Sequence, residues 1–400
     1  MNFIVREPLL DTTQQIVGYA LAWHTNAQNG GMSSDEELLE LLEFVATQLQ
    51  HEENGWLLKD CVLFFEATPA LIAAEVVDSL PPKQIAFRLS ATDLTEPDTL
   101  QRVVALRQRG FGISLMNADT LPDNSSLLQL VSYVEGHFDS EEFLSKHKIC
   151  TGTDGHATMI ACRPADWQTY DQCIASGLHV FMHNLYLTLR SDKESKGLNP
   201  AQLIIVQLMD MVRKNADVRK LEEVLKRDAA LSYKLFRYIN SVGFGLGAEI
   251  QSLRHAVTML GYSPLYRWLS LLLGTASTNP QGTVLMQAAI VRGRLAELAG
   301  HGILPKNEAE NLFVVGMFSL LDRLLGIPME QILEKVQLSE SVAQALLTRD
   351  GVYGPFLALA EACEPDNGDI AALADSLFLN PRQVNEAHLA ALAWAHAIKL

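Results

Sequence analysis

The pattern of apolar residues changes near residue 190, and this change constrains the fold more than any other feature of the sequence. Before it, short apolar segments typical of β-strands alternate with amphipathic segments typical of α-helices. Seven segments are predicted as strands: Ile16–Trp23, Cys61–Phe65, Gln84–Ser90, Phe111–Met116, Val131–Val134, Ala157–Cys162 and Leu178–Met182. This alternation predicts a parallel sheet covered by helices, and seven or so strands favour a closed (β/α) barrel over an open sheet.

After residue 200 the strand signals disappear, and apolar residues recur at spacings of three and four, which predicts helices throughout. The polar segment LRSDKESKGLNP (189–200) separates the two patterns and ends in Asn199-Pro200, a favourable N-cap followed by a favourable first helical residue. We therefore predict an α/β barrel domain over residues 1–190, a linker over 191–200 and an all-α domain over 201–400.

Composition limits the partners that this chain can have. Its 47 acidic and 31 basic residues give a net charge of −16, which argues against nucleic acid as the main partner, because phosphate binding depends on Lys and Arg. Five cysteines without a CxxC pair favour a reduced, cytoplasmic protein. No apolar run approaches the roughly 18 residues that a membrane span needs, and the N-terminus is too charged for a signal peptide.

Motifs for metal or nucleotide chemistry are weak in this sequence. None of the eleven histidines is followed by Asp, and HExxH is absent. His388 and His396 share a helix face without a nearby acid, so we interpret them as partly exposed or capping residues. His179 and His183 straddle a strand and a loop, where their side chains would not converge. The glycines of VGFGLG (242–247) fit a helix-ending loop, so no metal, cofactor or catalytic residue is predicted.

Two longer segments resemble a known family. REPLLDTTQQIVGYALAWH (6–24) resembles the opening of EAL-domain proteins, which are cyclic-di-GMP phosphodiesterases with a (β/α)8 barrel, and more specifically that of EAL–HDOD proteins. Residues 221–274 resemble the HDOD core, with its INS-x-x-FG turn and I-x-S-L-x-x-A-V-x-x-LG helix pair. The resemblance implies structural or partner-facing roles for the HDOD signature residues Asn240, Ser241, Gly245, Ser252 and Gly261.

The same resemblance implies a degenerate EAL barrel. In active members, carboxylates at the ends of the barrel strands bind two divalent cations that activate a water molecule. The corresponding positions, together with that of a family lysine, carry Ala20, Arg88, Ala91, Met116, Asn117, Glu135, Cys162 and Ala165. Ala, Met and Cys supply no anionic oxygen and Arg88 would repel a cation, so the resemblance implies neither bound metal nor phosphodiesterase activity. The family's QGY-like strand end reads MHN (182–184), which makes cyclic-di-GMP binding doubtful.

Three functions therefore stay open. The favoured one is a non-catalytic signalling protein whose barrel is a scaffold or sensor and whose HDOD domain binds protein partners. A second is a receptor that binds cyclic-di-GMP or another nucleotide without hydrolysing it, with Arg88 or Arg163 pairing with phosphate. For Arg88, an inward-facing side chain paired with a neighbouring acid is the competing interpretation. A third is a phosphohydrolase that uses scattered helical residues: His255, His301, Asp322 or His396. A homodimer is left open.

Overall fold

The computed structural model describes residues 2–24, 33–50, 61–118, 127–137, 157–188, 190, 198–240, 250, 252–277, 279–336, 338–365 and 368–398. The chain divides into two compact units. The first comprises Met1–Tyr186 with Cys363–Asn367, and the second comprises Leu187–Ala362 with Gly368–Leu400. No helix among the described residues is both long enough and apolar enough to cross a membrane.

The first unit is a closed barrel of eight strands arranged in chain order. The strands are β1 (Ile4–Asp11), β2 (Ile16–Trp23), β3 (Val62–Glu66), β4 (Ile85–Leu89), β5 (Gly112–Leu115), β6 (Tyr133–Gly136), β7 (Thr158–Cys162) and β8 (Val180–Met182). The predicted barrel is confirmed, and each of the seven predicted segments overlaps an observed strand.

The expectation of a wholly parallel sheet is wrong at β1. From β2 to β8, each strand is parallel to the next one in the chain. Strand β1 is antiparallel to both of its neighbours, β2 and β8. The cause is the short β1–β2 connection, since a tight hairpin turn can join only antiparallel strands. The Asp11 carboxylate accepts hydrogen bonds from the backbone N–H groups of Thr13 and Gln15, and Gln14 takes a left-handed conformation with φ of 61°.

The described residues of the barrel unit form four α-helices: α1 (Asp35–Leu49), α2 (Pro97–Arg109), α3 (Leu127–Leu130) and α4 (Trp167–Ala175). Ser34 is the N-cap of α1 and forms a capping box with Glu37, while Gly110 ends α2 with φ of 101°. Residues 67–84, which join β3 to β4, contain only short 3-10 turns. The barrel is therefore compact, because this crossover has no α-helix.

The interior of the barrel is apolar over most of its depth. Residues from six strands form one buried cluster: Leu9, Ala20, Phe64, Ala86, Ile160 and Met182. Because alternate residues of a strand share a face, the side chains two positions away from these also point inward. This rule places Glu7, Glu66, Arg88 and Cys162 on the inner face, towards the end of the barrel where the parallel strands finish.

The second unit is helical throughout its described residues. Its helices are α5 (Pro200–Arg213), α6 (Val218–Leu225), α7 (Ala229–Ile239), α8 (Leu253–Leu260), α9 (Tyr262–Thr275), α10 (Gly282–Gly300), α11 (Lys306–Phe318), α12 (Leu321–Leu325), α13 (Met329–Val336), α14 (Glu340–Thr348), α15 (Gly354–Ala362), α16 (Ile370–Ser376) and α17 (Pro381–Ala397). Asn199 caps α5 in a capping box with Gln202, as its sequence predicts. The all-α class is confirmed.

One helix boundary differs from the sequence pattern. The apolar spacing over 312–325 predicts a single helix, but the structure has a break at Ser319 and Leu320 between α11 and α12. The buried Ser319 hydroxyl donates to the Gly316 carbonyl oxygen and accepts from Arg292. These side-chain bonds offer the backbone an alternative to a continuous helix. The spacing of apolar residues gives no information about such bonds.

Candidate functional site at the carboxyl end of the barrel

Ligand sites of (β/α) barrels lie where the parallel strands end, and five polar side chains meet at this end of the first unit. Arg88 lies on β4, Ser114 on β5, Glu135 on β6, Cys162 on β7 and Glu7 on the antiparallel strand β1. We call these five residues, with Arg163 and Glu66, the mouth cluster. Its members combine three carboxylates with two guanidinium groups.

The centre of the mouth cluster is an ion pair between Arg88 and Glu135. Arg88 Nη2 donates to Glu135 Oε2 at 2.6 Å, and Arg88 Nε donates to Oε1 at 2.9 Å and to Oε2 at 3.1 Å. The Ser114 hydroxyl donates to Glu135 Oε1 at 2.6 Å. Both carboxylate oxygens therefore accept short hydrogen bonds, as in the bidentate arrangement that Arg forms with carboxylates. This is the pairing with an acid expected of an inward-facing arginine.

Burial and charge act in opposite directions on the groups at this centre. Burial disfavours the charged form of Arg88, but the adjacent Glu135 carboxylate outweighs it, so the pKa of Arg88 is raised. Burial and the Glu135 carboxylate together raise the pKa of the Cys162 thiol well above its ordinary value. Cys162 is therefore a neutral thiol rather than a nucleophilic thiolate.

A second ion pair lies beside the first. Arg163 Nε donates to Glu7 Oε1 at 3.0 Å and Arg163 Nη2 donates to Glu7 Oε2 at 3.1 Å. Arg163 follows β7 directly and has φ of 45°, a left-handed conformation that is unusual for a residue other than glycine. Each ion pair thus joins strands that are two apart, β4 to β6 and β7 to β1, across the strand between them.

Sequence reasoning missed three members of this cluster: Glu7, Glu66 and Ser114. Glu66 is the last residue of β3, faces Arg88 in the strand register, and accepts a 3.4 Å hydrogen bond from Ser33. Its place directly after the apolar run CVLFF is the signal that could have identified it. Glu7 lies on β1, which was not predicted as a strand, so its inward position could not be recognised.

The eight positions that the resemblance singles out do not all meet. Ala20 is buried in the apolar cluster of the barrel interior, while Arg88, Glu135 and Cys162 belong to the mouth cluster. The other four follow strand ends: Ala91 after β4, Met116 and Asn117 after β5, and Ala165 after β7. Asn117 is exposed and takes a left-handed conformation with φ of 50°, which Asn tolerates better than most residues.

A two-metal centre does not fit the mouth cluster. Two of its carboxylates, Glu7 and Glu135, are held by arginines at bidentate distances. Within the described part of the chain, no three His, Cys, Asp or Glu side chains are grouped as metal ligands. Since divalent cations need several anionic oxygens to offset their lost hydration, carboxylates that are held by arginines are a poor ligand set for two metal ions.

The histidines singled out from the sequence lie apart from one another. His179 is exposed and His183 is buried, so they do not converge. His388 is fully buried, so the interpretation of it as partly exposed or capping is wrong; the helix face that carries it packs inside the second unit. His396 contacts Gln287 at 3.1 Å. His255 and His301 lie on α8 and at the end of α10, and Asp322 lies on α12 beside Arg323.

Three HDOD signature residues have local structural roles in the helical unit. Asn240 donates to the Ile250 carbonyl oxygen at 2.9 Å and accepts from the Ile250 N–H at 2.7 Å. Ser252 is the N-cap of α8, and Gly261 ends that helix with φ of 86°. Ser241, Gly245 and the VGFGLG segment lie outside the described residues. The described signature residues thus fix the ends of helices α7 and α8.

Comparison with protein families identifies one domain. Residues 199–321 match the model of the HDOD domain. This match lies within the helical unit and includes Asn240, Ser252 and Gly261.

Two curated bacterial proteins are similar over most of the chain. The uncharacterised protein YuxH of Bacillus subtilis is 23% identical over 98% of this chain and 98% of its own length. The cyclic di-GMP phosphodiesterase CdgJ of Vibrio cholerae is 25% identical over 91% of this chain and 85% of its own. Both alignments span barrel and helical unit together.

Among solved structures, the EAL enzyme Bd1971 in its cAMP- and cyclic-di-GMP-bound form is 12% identical with a TM-score of 0.35. The match covers 46% of this chain and 60% of that one, which is less than two thirds of the neighbour. At this TM-score the similarity does not bear on the function of the barrel.

Proposed function

We propose that this two-domain protein, which carries an HDOD domain after its barrel, is a non-catalytic component of cyclic-di-GMP signalling. In this proposal the barrel is a degenerate EAL domain that acts as a scaffold or sensor in the cytoplasm. The HDOD domain is the output module and binds one or more protein partners.

The observation that carries the proposal is the bonding of Glu135. Its carboxylate is almost fully buried and accepts from both Arg88 and Ser114. The resemblance places Arg88 at a metal-binding carboxylate and Glu135 at the family lysine. A guanidinium therefore occupies a position where a metal-dependent phosphodiesterase needs an acid. The Glu135 carboxylate is engaged by that guanidinium and by Ser114, so it offers no free lone pair to a cation or an attacking water.

The link to cyclic-di-GMP rests on the full-length similarity to CdgJ, which is named a phosphodiesterase of that dinucleotide. At 25% identity the two chains share an architecture, and the chemistry depends on individual residues. We therefore assign the pathway by similarity and the absence of hydrolysis by the mouth cluster.

The receptor alternative draws less support from the same geometry. The Arg88 and Arg163 side chains would have to leave Glu135 and Glu7 to pair with phosphate, because each already holds a carboxylate at bidentate distance. Three carboxylates and two guanidinium groups leave the mouth cluster with one negative charge, which repels a dinucleotide. The phosphohydrolase alternative relies on His255, His301, Asp322 or His396, which lie on, or at the end of, four different helices.

Calorimetric titration of the full chain with cyclic-di-GMP, with and without Mg²⁺, tests the proposal. Turnover produces a continuous heat signal, and binding produces a saturating one. We expect neither signal. Saturable micromolar binding without turnover would favour the receptor, and continuous heat with Mg²⁺ would overturn the non-catalytic assignment.

A further inference from the structure

The mouth cluster contains a carboxylate and its counter-ion in a geometry that resembles a filled cation site. The Glu135 side chain is 3% exposed, so its charge needs a partner within the barrel. That partner comes from β4 and reaches Glu135 across β5, although Glu66 is the register neighbour of Arg88 on β3. Arg88 therefore bonds to the more deeply buried carboxylate instead of the adjacent one.

We propose that the Arg88 guanidinium is a tethered cation that occupies the mouth of the barrel and excludes divalent metal ions from its carboxylates. This inference rests on the proposed function, because both require that no metal ion binds to the mouth cluster. It goes further because it assigns the exclusion to one side chain, whose removal would open a cation site.

The bonding geometry supports exclusion. A metal ion must approach a carboxylate oxygen to about 2.0–2.6 Å along a lone pair. Glu135 Oε1 already accepts from Arg88 Nε and Ser114 Oγ, and Oε2 accepts from Arg88 Nη2 and Nε. A metal would have to displace the guanidinium, which cannot lose its proton and has no second anion at this distance among the described residues.

The charges of the mouth cluster also support the exclusion of metal ions by Arg88. With Arg88 in place, the carboxylates of Glu7, Glu66 and Glu135 face two guanidinium groups. Without it, Glu135 keeps no cationic partner among the described residues, because Arg163 is bonded to Glu7. A buried carboxylate left without a counter-ion favours a divalent cation, which prefers anionic oxygen ligands. The Ser114 hydroxyl adds a neutral oxygen beside that carboxylate.

Titration calorimetry with MnCl₂ on the full-length chain tests the inference. The variant is Arg88→Met, which keeps much of the aliphatic volume and removes the charge. We expect it to bind one Mn²⁺ at least about tenfold more tightly than the wild type, because a nearby positive charge has been removed. Arg88→Lys, which keeps a cation, should behave like the wild type, and Arg88→Met/Glu135→Gln should lose the gained binding.

A folding defect in Arg88→Met does not remove the test. Because Mn²⁺ or methylguanidinium would then replace the missing counter-ion, millimolar amounts of either should restore the native circular dichroism spectrum, whereas choline should not. Equal Mn²⁺ binding by wild type and Arg88→Met, or failure of both cations to restore an unfolded variant, would overturn the inference. Turnover of cyclic-di-GMP by the wild type is a separate readout that bears on the proposed function.

Discussion

The guanidinium of Arg88 on β4 bonds to both oxygens of Glu135 on β6, across the intervening strand β5. Ser114 of β5 completes the contact by donating to the same carboxylate. Three consecutive strands are thereby joined at their carboxyl ends by side chains as well as by backbone hydrogen bonds. The proposed loss of catalysis and the stability of the barrel mouth both depend on this pair.

Replacing Glu135 with Gln should destabilise the barrel strongly. The substitution leaves the Arg88 charge, whose side chain is only 21% exposed, without its anion. Breaking such a pair from one side costs about 2–4 kcal/mol. Differential scanning calorimetry should show a clear fall in the unfolding midpoint of the barrel.

Two controls make this prediction specific. The double variant Arg88→Met/Glu135→Leu removes both charges and should stay within about 1 kcal/mol of the wild type. Glu386→Gln breaks the pair between Arg382 and Glu386, whose side chains are 71% and 41% exposed, and should change stability by about 0.5 kcal/mol or less. If Glu135→Gln has as small an effect as Glu386→Gln, the pair does not stabilise the barrel.

The barrel should lose stability in mild acid through His183. Burial lowers the pKa of His183 to about 3, and its Nδ1 accepts from the Leu185 N–H. The unfolded chain takes up a proton near pH 6.5, whereas the folded chain does not until far lower pH. The neutral His183 therefore contributes fully to the free energy of unfolding above pH 6.5. This contribution is lost as the pH falls from 6.5 towards 3, by about 1.4 kcal/mol per pH unit.

Urea unfolding at pH 7 and at pH 5.5 measures this loss. His183→Gln can keep an acceptor for the Leu185 N–H but cannot take up a proton, so it should reduce the difference between the two pH values by about 1 kcal/mol. His179, four residues earlier, is exposed, and His179→Gln is the matched control for the substitution itself. If His183→Gln loses as much stability between pH 7 and pH 5.5 as the wild type does, protonation of His183 is not the cause of that loss.

Helices α10 and α11 should tolerate no side chain at their crossing. A Cβ on Gly316 would lie 2.3 Å from the backbone N of Gly293, and one on Gly293 would lie 2.7 Å from the Phe313 carbonyl oxygen. Gly316→Ala gains about 1 kcal/mol of helix propensity, but forcing the backbones apart costs more. We expect a net loss of about 2 kcal/mol or more in urea unfolding.

The matched control lies on α10, the other helix of this pair. A Cβ on Gly282, at the start of α10, meets no atom within 4 Å. Gly282→Ala should therefore be neutral or should stabilise the unit by up to about 1 kcal/mol. Comparable losses from Gly282→Ala and Gly316→Ala would mean that the close approach of the two helices is not the cause.

Phe378 should be a site where substitution stabilises the protein. It follows α16 in a Schellman turn, in which the Leu379 N–H bonds to the Ala374 carbonyl oxygen, and has φ of 57°. Its ring is 93% exposed, so little packing offsets the left-handed backbone. Phe378→Gly should raise stability by about 1 kcal/mol, whereas Phe378→Ala, which keeps the strained conformation, should not. Thermal unfolding of both variants distinguishes the backbone effect from the loss of the ring.

The fold was largely predictable because its elements follow simple periodicities, and the exceptions have physical causes. Strand β1 escaped prediction because six of its eight residues are buried, so it lacks the alternation of a half-exposed strand, and it contains Pro8 and three charged residues. The break between α11 and α12 depends on the bonds of Ser319, which apolar spacing does not encode.

The site was predictable only in part. An inward-facing Arg88 with an acidic partner could be expected from the strand pattern, but not the identity of that acid. Register alone would favour Glu66 on the adjacent strand, whereas the closed barrel brings Glu135 from two strands away within 2.6 Å. Long-range pairing of this kind depends on barrel curvature, which local sequence patterns do not contain.

Turnover of cyclic-di-GMP by the purified full-length chain tests the central claim most directly. The linear dinucleotide product is separated chromatographically after incubation with Mg²⁺ or Mn²⁺, beside an active EAL phosphodiesterase at the same concentration. We predict no product above the enzyme-free blank with either metal, because Arg88, fixed by Glu135, occupies the position of a metal-binding carboxylate. Metal-dependent product formation by the wild-type chain would contradict the account.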